Sequence, residues 1–320
     1  MSAEREPEPL LVLQHARLVL ADRSRLPPLD AVARGARVGL IGAWAPFFRL
    51  LGGETHVAAG RAELAGVPAA RAVRLGVAGI APFEPVLPQS WTPERYLTES
   101  ALLLGRTRSA ALAASRELLG RFELMRVANR PLGGLGPADR RAFLIAHATL
   151  GEPRVLCCEA PLARLEEPDQ DYVAAVLERA IEGRAAIVSV GTTPPFGRER
   201  AWLEAADHLI ALSHGHVVAS GAPGEVLRPS ARVLATVTRH AQAFARELTA
   251  RGLAHERVGH VDALLGLLVP GASADIERFV IDLPAPLATR GVVDASAAAE
   301  APLVELTPVE ALNFPATVGP

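Results

Sequence analysis

The stretch from Leu135 to Glu166, LGPADRRAFLIAHATLGEPRVLCCEAPLARLE, allows few folds. Phe143, Leu144, Ala146, Ala148 and Leu150 give Arg140 to Gly151 an imperfect helical stripe. A Gly-Pro break stands just before it, which predicts a helix starting near Ala138 and ended by Pro153. Val155 to Cys158 is then an apolar run short enough to be a strand buried on both faces of a parallel sheet, and Pro161 closes it. Such an αβ unit belongs to an open α/β sheet, whose ligands lie at the carboxyl ends of the strands. Glu159 is predicted at one of those ends.

A chain of 320 residues, half of them hydrophobic, is long enough for one large domain plus a small one. Its net charge of −2 gives no argument for nucleic acid as a partner. Cys157 and Cys158 are adjacent, too close for an ordinary structural disulfide, and suit a reducing compartment as buried packing residues. The acidic N-terminus, MSAEREPEPLLVLQ, has no basic region before an apolar run, so no secretory signal is expected. No apolar run reaches the length of a membrane span. These features predict a soluble, cytoplasmic chain.

All 33 basic residues are arginine. A GC-rich coding bias is the plain explanation, since Ala, Gly and Pro are abundant too, but the consequence is chemical. A phosphate-binding loop of the G-x-x-x-x-G-K-[ST] type places a compact ammonium on the β- and γ-phosphates, and a planar guanidinium is no equivalent there. Ala36 to Gly42, ARVGLIG, reads as a strand, and Phe47 to Leu51 begins an apolar helix ending at Gly52 and Gly53. Between them stand only Ala43, Trp44, Ala45 and Pro46. A phosphate cradle needs glycine-permitted turns that point successive N–H groups inward. Ala-Trp-Ala-Pro offers no second glycine, one fewer N–H and a large indole. We read it as a loop shortened and plugged by Trp44, Phe47 and Phe48; the alternative is an indole that stacks on an adenine.

In order and spacing, these landmarks resemble the ATPase subunits of ABC transporters, over the length from near Leu10 to Leu227. Gly42 matches the first glycine of the P-loop, and Phe83, in GIAPFEP, stands at the Q-loop glutamine. Gly136, Pro137, Ala138 and Asp139 stand where the signature loop has Ser, Gly, Gly and Gln. Glu159 matches the Walker B Asp, Ala160 stands at the general-base Glu, and Glu166 replaces the D-loop Asp. In AAIVSVGTTPPF, Ser189 matches the switch-motif Ser and Gly191 falls on its His. Thr92 to Tyr96, followed by Leu97 to Gly120, resembles the start of the helical subdomain. Ala206 to Leu227 resembles the closing strands, with a hairpin turn at His214 and Gly215; His214 and His216 are expected as exposed turn residues rather than metal ligands.

The resemblance implies an α/β fold: a P-loop NTPase-like ABC ATPase core over residues 8–229, with a helical subdomain at about 92–138. Residues 230–320 then form a small α+β or ferredoxin-like domain, loosely resembling the C-terminal extension of ABC-2 type exporter ATPases. In that domain Val233 to Arg239, Leu264 to Val269 and Leu303 to Leu306 read as strands, Ala241 to Ala250 and Ala274 to Leu283 as helices, and Val292 to Ala301 as a flexible loop.

Carried over position by position, the resemblance leaves no catalytic residue and no metal ligand. Without a carboxylate at Ala160 nothing deprotonates the attacking water, Gly191 removes the γ-phosphate sensor, and Asp139 would face phosphate with a negative charge. Neither ATP nor Mg²⁺ is expected as a cofactor, and Glu159 is a remnant. The chain is then expected to be no enzyme but a structural or regulatory module of an ABC transporter-like complex, peripheral on the cytoplasmic face of the inner membrane. Its partners would be an ABC permease, a competent ABC ATPase subunit, or a second copy in a dimer. Alternatives are a weakly active subunit sharing a composite ATP site, and a free-standing regulator.

Overall fold

The computed structural model describes residues 8–19, 25–191, 197–213, 215–227, 229–260, 277–284 and 288–310. The chain divides into two compact units, Met1–Val226 and Leu227–Pro320. In the first, β1 (Leu11–Leu18) and β2 (Leu29–Ala33) precede β3 (Arg37–Ile41), which leads into α1 (Ala45–Leu51). There follow β4 (Val57–Leu64), β5 (Val67–Pro68), α2 (Ala69–Ala72) and β6 (Ala78–Ala81), then α3 (Pro93–Leu103), α4 (Arg108–Arg121) and α5 (Pro137–Ala148). The unit closes with β7 (Val155–Cys158), α6 (Glu167–Ile181), β8 (Ala185–Val190), α7 (Arg198–Glu204), β9 (His208–Ser213), β10 (His216–Gly221) and α8 (Pro223–Val226).

These strands form two sheets. An antiparallel sheet has the order β2-β1-β4-β5, and a six-stranded sheet has the order β10-β9-β3-β8-β7-β6. In the second, β9, β3, β8, β7 and β6 run parallel and β10 is an antiparallel edge. The burial of every residue of Val155–Cys158, and of all but the first of β3 and β8, is what strands covered on both faces require. Asp207 fixes the start of β3, since its Oδ2 accepts from the N–H groups of Ala36 at 2.7 Å and Arg37 at 2.8 Å.

Between β6 and β7 the chain builds its helical segment. Thr92 caps α3 by accepting from Arg95 N at 3.2 Å, and Thr107 caps α4 by accepting from Ala110 N. The predicted run from Leu97 to Gly120 is thus two helices, broken at Gly105, which sits at φ +85°. Aromatic packing ties α3 to α5: the Tyr96 ring meets Phe143 at 5.6 Å and His147 at 5.1 Å, and His147 Nε2 lies 3.1 Å from Ser100 Oγ.

The second unit runs β11 (Pro229–Val237), α9 (Ala241–Ala250), β12 (His255–His260), β13 (Glu277–Asp282), α10 (Arg290–Ala298) and β14 (Leu303–Glu310). Its sheet, ordered β12-β13-β11-β14 with all pairs antiparallel, has the ferredoxin-like βαββαβ topology. Phe244 of α9 packs edge-on against Phe279 of β13 at 5.4 Å in its core.

Two sequence expectations fail here. Glu277–Asp282, read as part of a helix over Ala274 to Leu283, is a strand, with Phe279 and Ile281 both buried two apart. Val292 to Ala301, read as a flexible loop, falls largely in the helix Arg290–Ala298, whose Val292 and Ala295, three apart, are fully buried. Composition was the wrong guide there, because an Ala-rich run with apolar spacing of three favours helix. The strand expected at Leu264 to Val269 falls outside the described residues.

His147 gives the helical segment a pH dependence. Burial pushes its imidazole down to about 4, so between there and about 6.5 the unfolded chain binds the proton that the folded chain excludes. Its contribution to stability is present above pH ~6.5 and is lost as pH falls toward 4. Urea unfolding at a series of pH values is expected to show that loss, and His147→Gln to flatten it.

Candidate functional site

The carboxyl ends of β3, β7 and β8 lie side by side and carry the positions that the sequence singles out. β3 ends at Gly42, whose backbone sits at φ +104°, where a Cβ would lie 2.1 Å from Leu212 O. Only glycine fits that turn. Its N–H donates to Val190 O at 2.9 Å, joining the turn to the end of β8. Trp44 then caps α1, and its indole folds inward. The side chain is 2% exposed, Nε1–H donates to Ile41 O at 3.0 Å, and the ring meets Phe47 edge-on at 6.2 Å. Phe47 in turn meets Phe48 at 5.8 Å.

This packing also uses the amides that would face an anion. Pro46 has no N–H, while those of Phe47 and Phe48 donate to Trp44 O at 2.9 and 3.3 Å. A helix N-terminus binds anions through unsatisfied N–H groups; in the first turn here Pro46 has none and that of Phe47 is already used, the Phe48 bond being the ordinary first bond of the helix.

At the end of β7, Glu159 is half-buried, and its Oε2 accepts from Phe83 N at 3.0 Å. Burial pushes its carboxyl above the usual range, opposed by the Phe83 N–H and by the charges of Arg49 and Arg141. Ala160 follows in a left-handed conformation, φ +42°, and its N–H donates to Ser189 Oγ of β8 at 3.1 Å. Gly191, just past β8, is exposed, with open space around its Cα. The residues after it, 192–196, fall outside the described residues.

The structure thus brings Gly42, Trp44, Phe47, Phe83, Glu159, Ala160 and Gly191 to one edge. Gly136, Asp139 and Glu166 are placed otherwise. Gly136 is the exposed N-cap of α5 and offers no side chain to cap it. Asp139 is corrected: instead of standing free toward a phosphate, its carboxylate takes both ends of the Arg126 guanidinium, with Arg126 Nη1 at 2.9 Å from Oδ2. That guanidinium also lies 5.4 Å over the Tyr172 ring. Glu166 is an exposed N-cap of α6 with no side-chain cap bond.

Sequence reading missed Arg141. It is buried in α5, with its guanidinium 3.8 Å above the Phe83 ring, and Arg164 lies 5.3 Å from the same ring. Burial pushes Arg141 down to about 10, which leaves it charged at neutral pH. A signal was present: Arg141 stands three after Ala138 and four before Ile145, both buried, so it lies on the inner helix face. Cys157 and Cys158 are free and wholly buried, and burial pushes the Cys158 thiol up to about 12, which suits packing rather than chemistry. His216 is exposed and His214 lies outside the described residues. Among the described residues no cluster of His, Cys, Asp and Glu is fit to hold a metal.

No family model matches the chain. In sequence it is similar to the nickel import ATP-binding protein NikO of Rhodobacter capsulatus, 29% identical over 215 residues that span 62% of this chain and 82% of NikO. It is also similar to the zinc import ATP-binding protein ZnuC of Halorhodospira halophila, 26% identical over 233 residues, 69% of this chain and 80% of ZnuC. Among solved structures, CbiO1 of Clostridium perfringens, part of the ABC transporter complex CbiONQ, matches with a TM-score of 0.55 and 18% identity over 68% of this chain and 90% of its own. A nucleotide-free ATP-binding cassette from an ABC transporter matches with a TM-score of 0.53 and 14% identity, over 67% and 91%. The fold is that of the ABC ATPase nucleotide-binding domain. In sequence the chain is thus similar to ATP-binding proteins of metal import systems.

Two substitutions separate packing from charge at this edge. Trp44→Ala removes a buried indole and is expected to destabilise the chain by about 3–5 kcal/mol in urea unfolding. A group whose carboxyl is raised in the folded state loses stability as pH rises through its range, so Glu159→Gln is expected to match or exceed the parent's stability at pH 7. A clear loss in Glu159→Gln would show that the charge itself holds the edge together.

Proposed function

We propose that the chain is a non-hydrolysing ABC-type subunit, a structural or regulatory module of a transporter-like membrane complex. The observation that carries this reading is Trp44. Its indole fills the turn between β3 and α1, hydrogen-bonded to Ile41 O and packed on Phe47, where the family's phosphate loop would lie. Three further features support it. The chain has no lysine to reach a phosphate, no carboxylate stands at Ala160 to act on water, and Asp139 is bound to Arg126. Neither ATP nor Mg²⁺ is then a resident cofactor, and the retained fold serves contacts with other proteins.

The partners in this reading are a membrane permease and a competent ATPase subunit, with a dimer as the other assembly that the fold permits. No helix among the described residues is long and apolar enough to cross a membrane, so the chain would meet the bilayer through such a permease, on its cytoplasmic face. NikO and ZnuC are named for metal import. The proposed role holds for either direction of transport.

Calorimetric titration with Mg-ATP tests it. No saturable binding and no turnover are expected of the chain alone, and none beyond the partner's own when a copurifying ATPase subunit is present. Micromolar affinity, or magnesium-dependent hydrolysis abolished by Glu159→Gln, would overturn the proposal.

A further inference from the structure

The ferredoxin-like unit carries a cavity of its own. Between α9 and the edge strand β12 lies a space of about 530 Å³, lined by Gln242, Ala245, Arg246, His255, Arg257 and Phe279. The geometry of the elements gathers these residues. Gln242, Ala245 and Arg246 follow one flank of α9 at helical spacing, and His255 and Arg257, two apart, share a face of β12. Arg257 pairs in register with Phe279 of β13. Phe279 is 1% exposed and lies beneath the hollow, with the His255 ring at 6.0 Å and the Arg257 guanidinium at 6.0 Å from its centre.

Charge in the cavity is not balanced. Arg257 is paired with Glu277, while Arg246 has no hydrogen bond or ion pair among the described residues. His255 Nδ1 lies 3.1 Å from Leu253 O, which fixes the ring against the backbone. Two guanidinium groups and an amide therefore line the hollow, and only one of the guanidinium groups has a carboxylate partner. A hollow of ~300–1,000 Å³ suits a small molecule, and guanidinium forks recognise planar or tetrahedral oxyanions by charge-assisted hydrogen bonds.

We propose that this hollow binds a small anion, its carboxylate or phosphate held by Arg246 and Arg257. The inference stands apart from the role proposed for the first unit, and would make the second unit a metabolite sensor.

Calorimetry on the full chain at constant ionic strength tests it with four probes: phenylacetate, phenyl phosphate, acetate and inorganic phosphate. A saturable isotherm is expected for at least one of the four probes. Whichever aromatic probe binds more tightly distinguishes a carboxylate ligand from a phosphate one. Arg246→Gln is expected to weaken binding about tenfold or more. Arg257→Gln, checked for folding by circular dichroism, is expected to do the same. Arg290→Gln, at an Arg whose side chain is 95% exposed in the same unit, is expected to leave it unchanged. No saturable binding by any probe, or binding unmoved by Arg246→Gln, would overturn the proposal.

Discussion

The hydrogen bond from the Trp44 indole to Ile41 O decides how β3 becomes α1, and the carboxyl edge of the main sheet is arranged around it. A buried indole N–H left without an acceptor would cost ~1–3 kcal/mol, so this bond lets the ring turn inward, where burial of its apolar surface stabilises it. With the indole inward, Trp44 joins Phe47, Phe48 and Leu50 in a core that reaches β1, β3 and β4. The turn before it then needs the positive φ of Gly42, and the first turn of α1 uses its own N–H groups on Trp44 O. Each of these consequences takes backbone polarity away from any ligand.

The same self-sufficiency recurs around the edge. Glu159 is answered by the Phe83 N–H and by the field of Arg49 and Arg141, and Arg141 is answered by the Phe83 ring. Asp139 is answered by Arg126. In the proposed role this is how a fold of the ABC ATPase type stays ordered without a nucleotide: groups that would meet ligand, metal or water instead meet one another.

How much of this was legible in the sequence depended on whether the contacts were local. The buried strand Val155–Cys158 and the helix before it were readable because apolar runs, Gly-Pro and Pro punctuation report on their own neighbourhood. The inward packing of Trp44, Phe47 and Phe48 was readable too, since the three are close in sequence. The Arg126–Asp139 pair and the stacking of Arg141 on Phe83 were not, because each joins residues brought together by tertiary structure. In the second unit, His255–His260 is an edge strand rich in charge and histidine, and edge strands lack the apolar alternation that marks a buried one. Glu277–Asp282 reads as helix in the sequence because a short apolar run fits both periods until a partner strand chooses between them, and Val292 to Ala301 reads as a loop because its Ala-rich composition hides the buried face.

The most direct test of the central claim, that the indole closes the phosphate position, is the Trp44 indole N–H resonance followed by ¹⁵N NMR in the presence of Mg-ATP. The account predicts a slowly exchanging proton whose shift does not move when nucleotide is added. A Trp44 indole that exchanges rapidly, or that shifts in a saturable way with Mg-ATP, would contradict it.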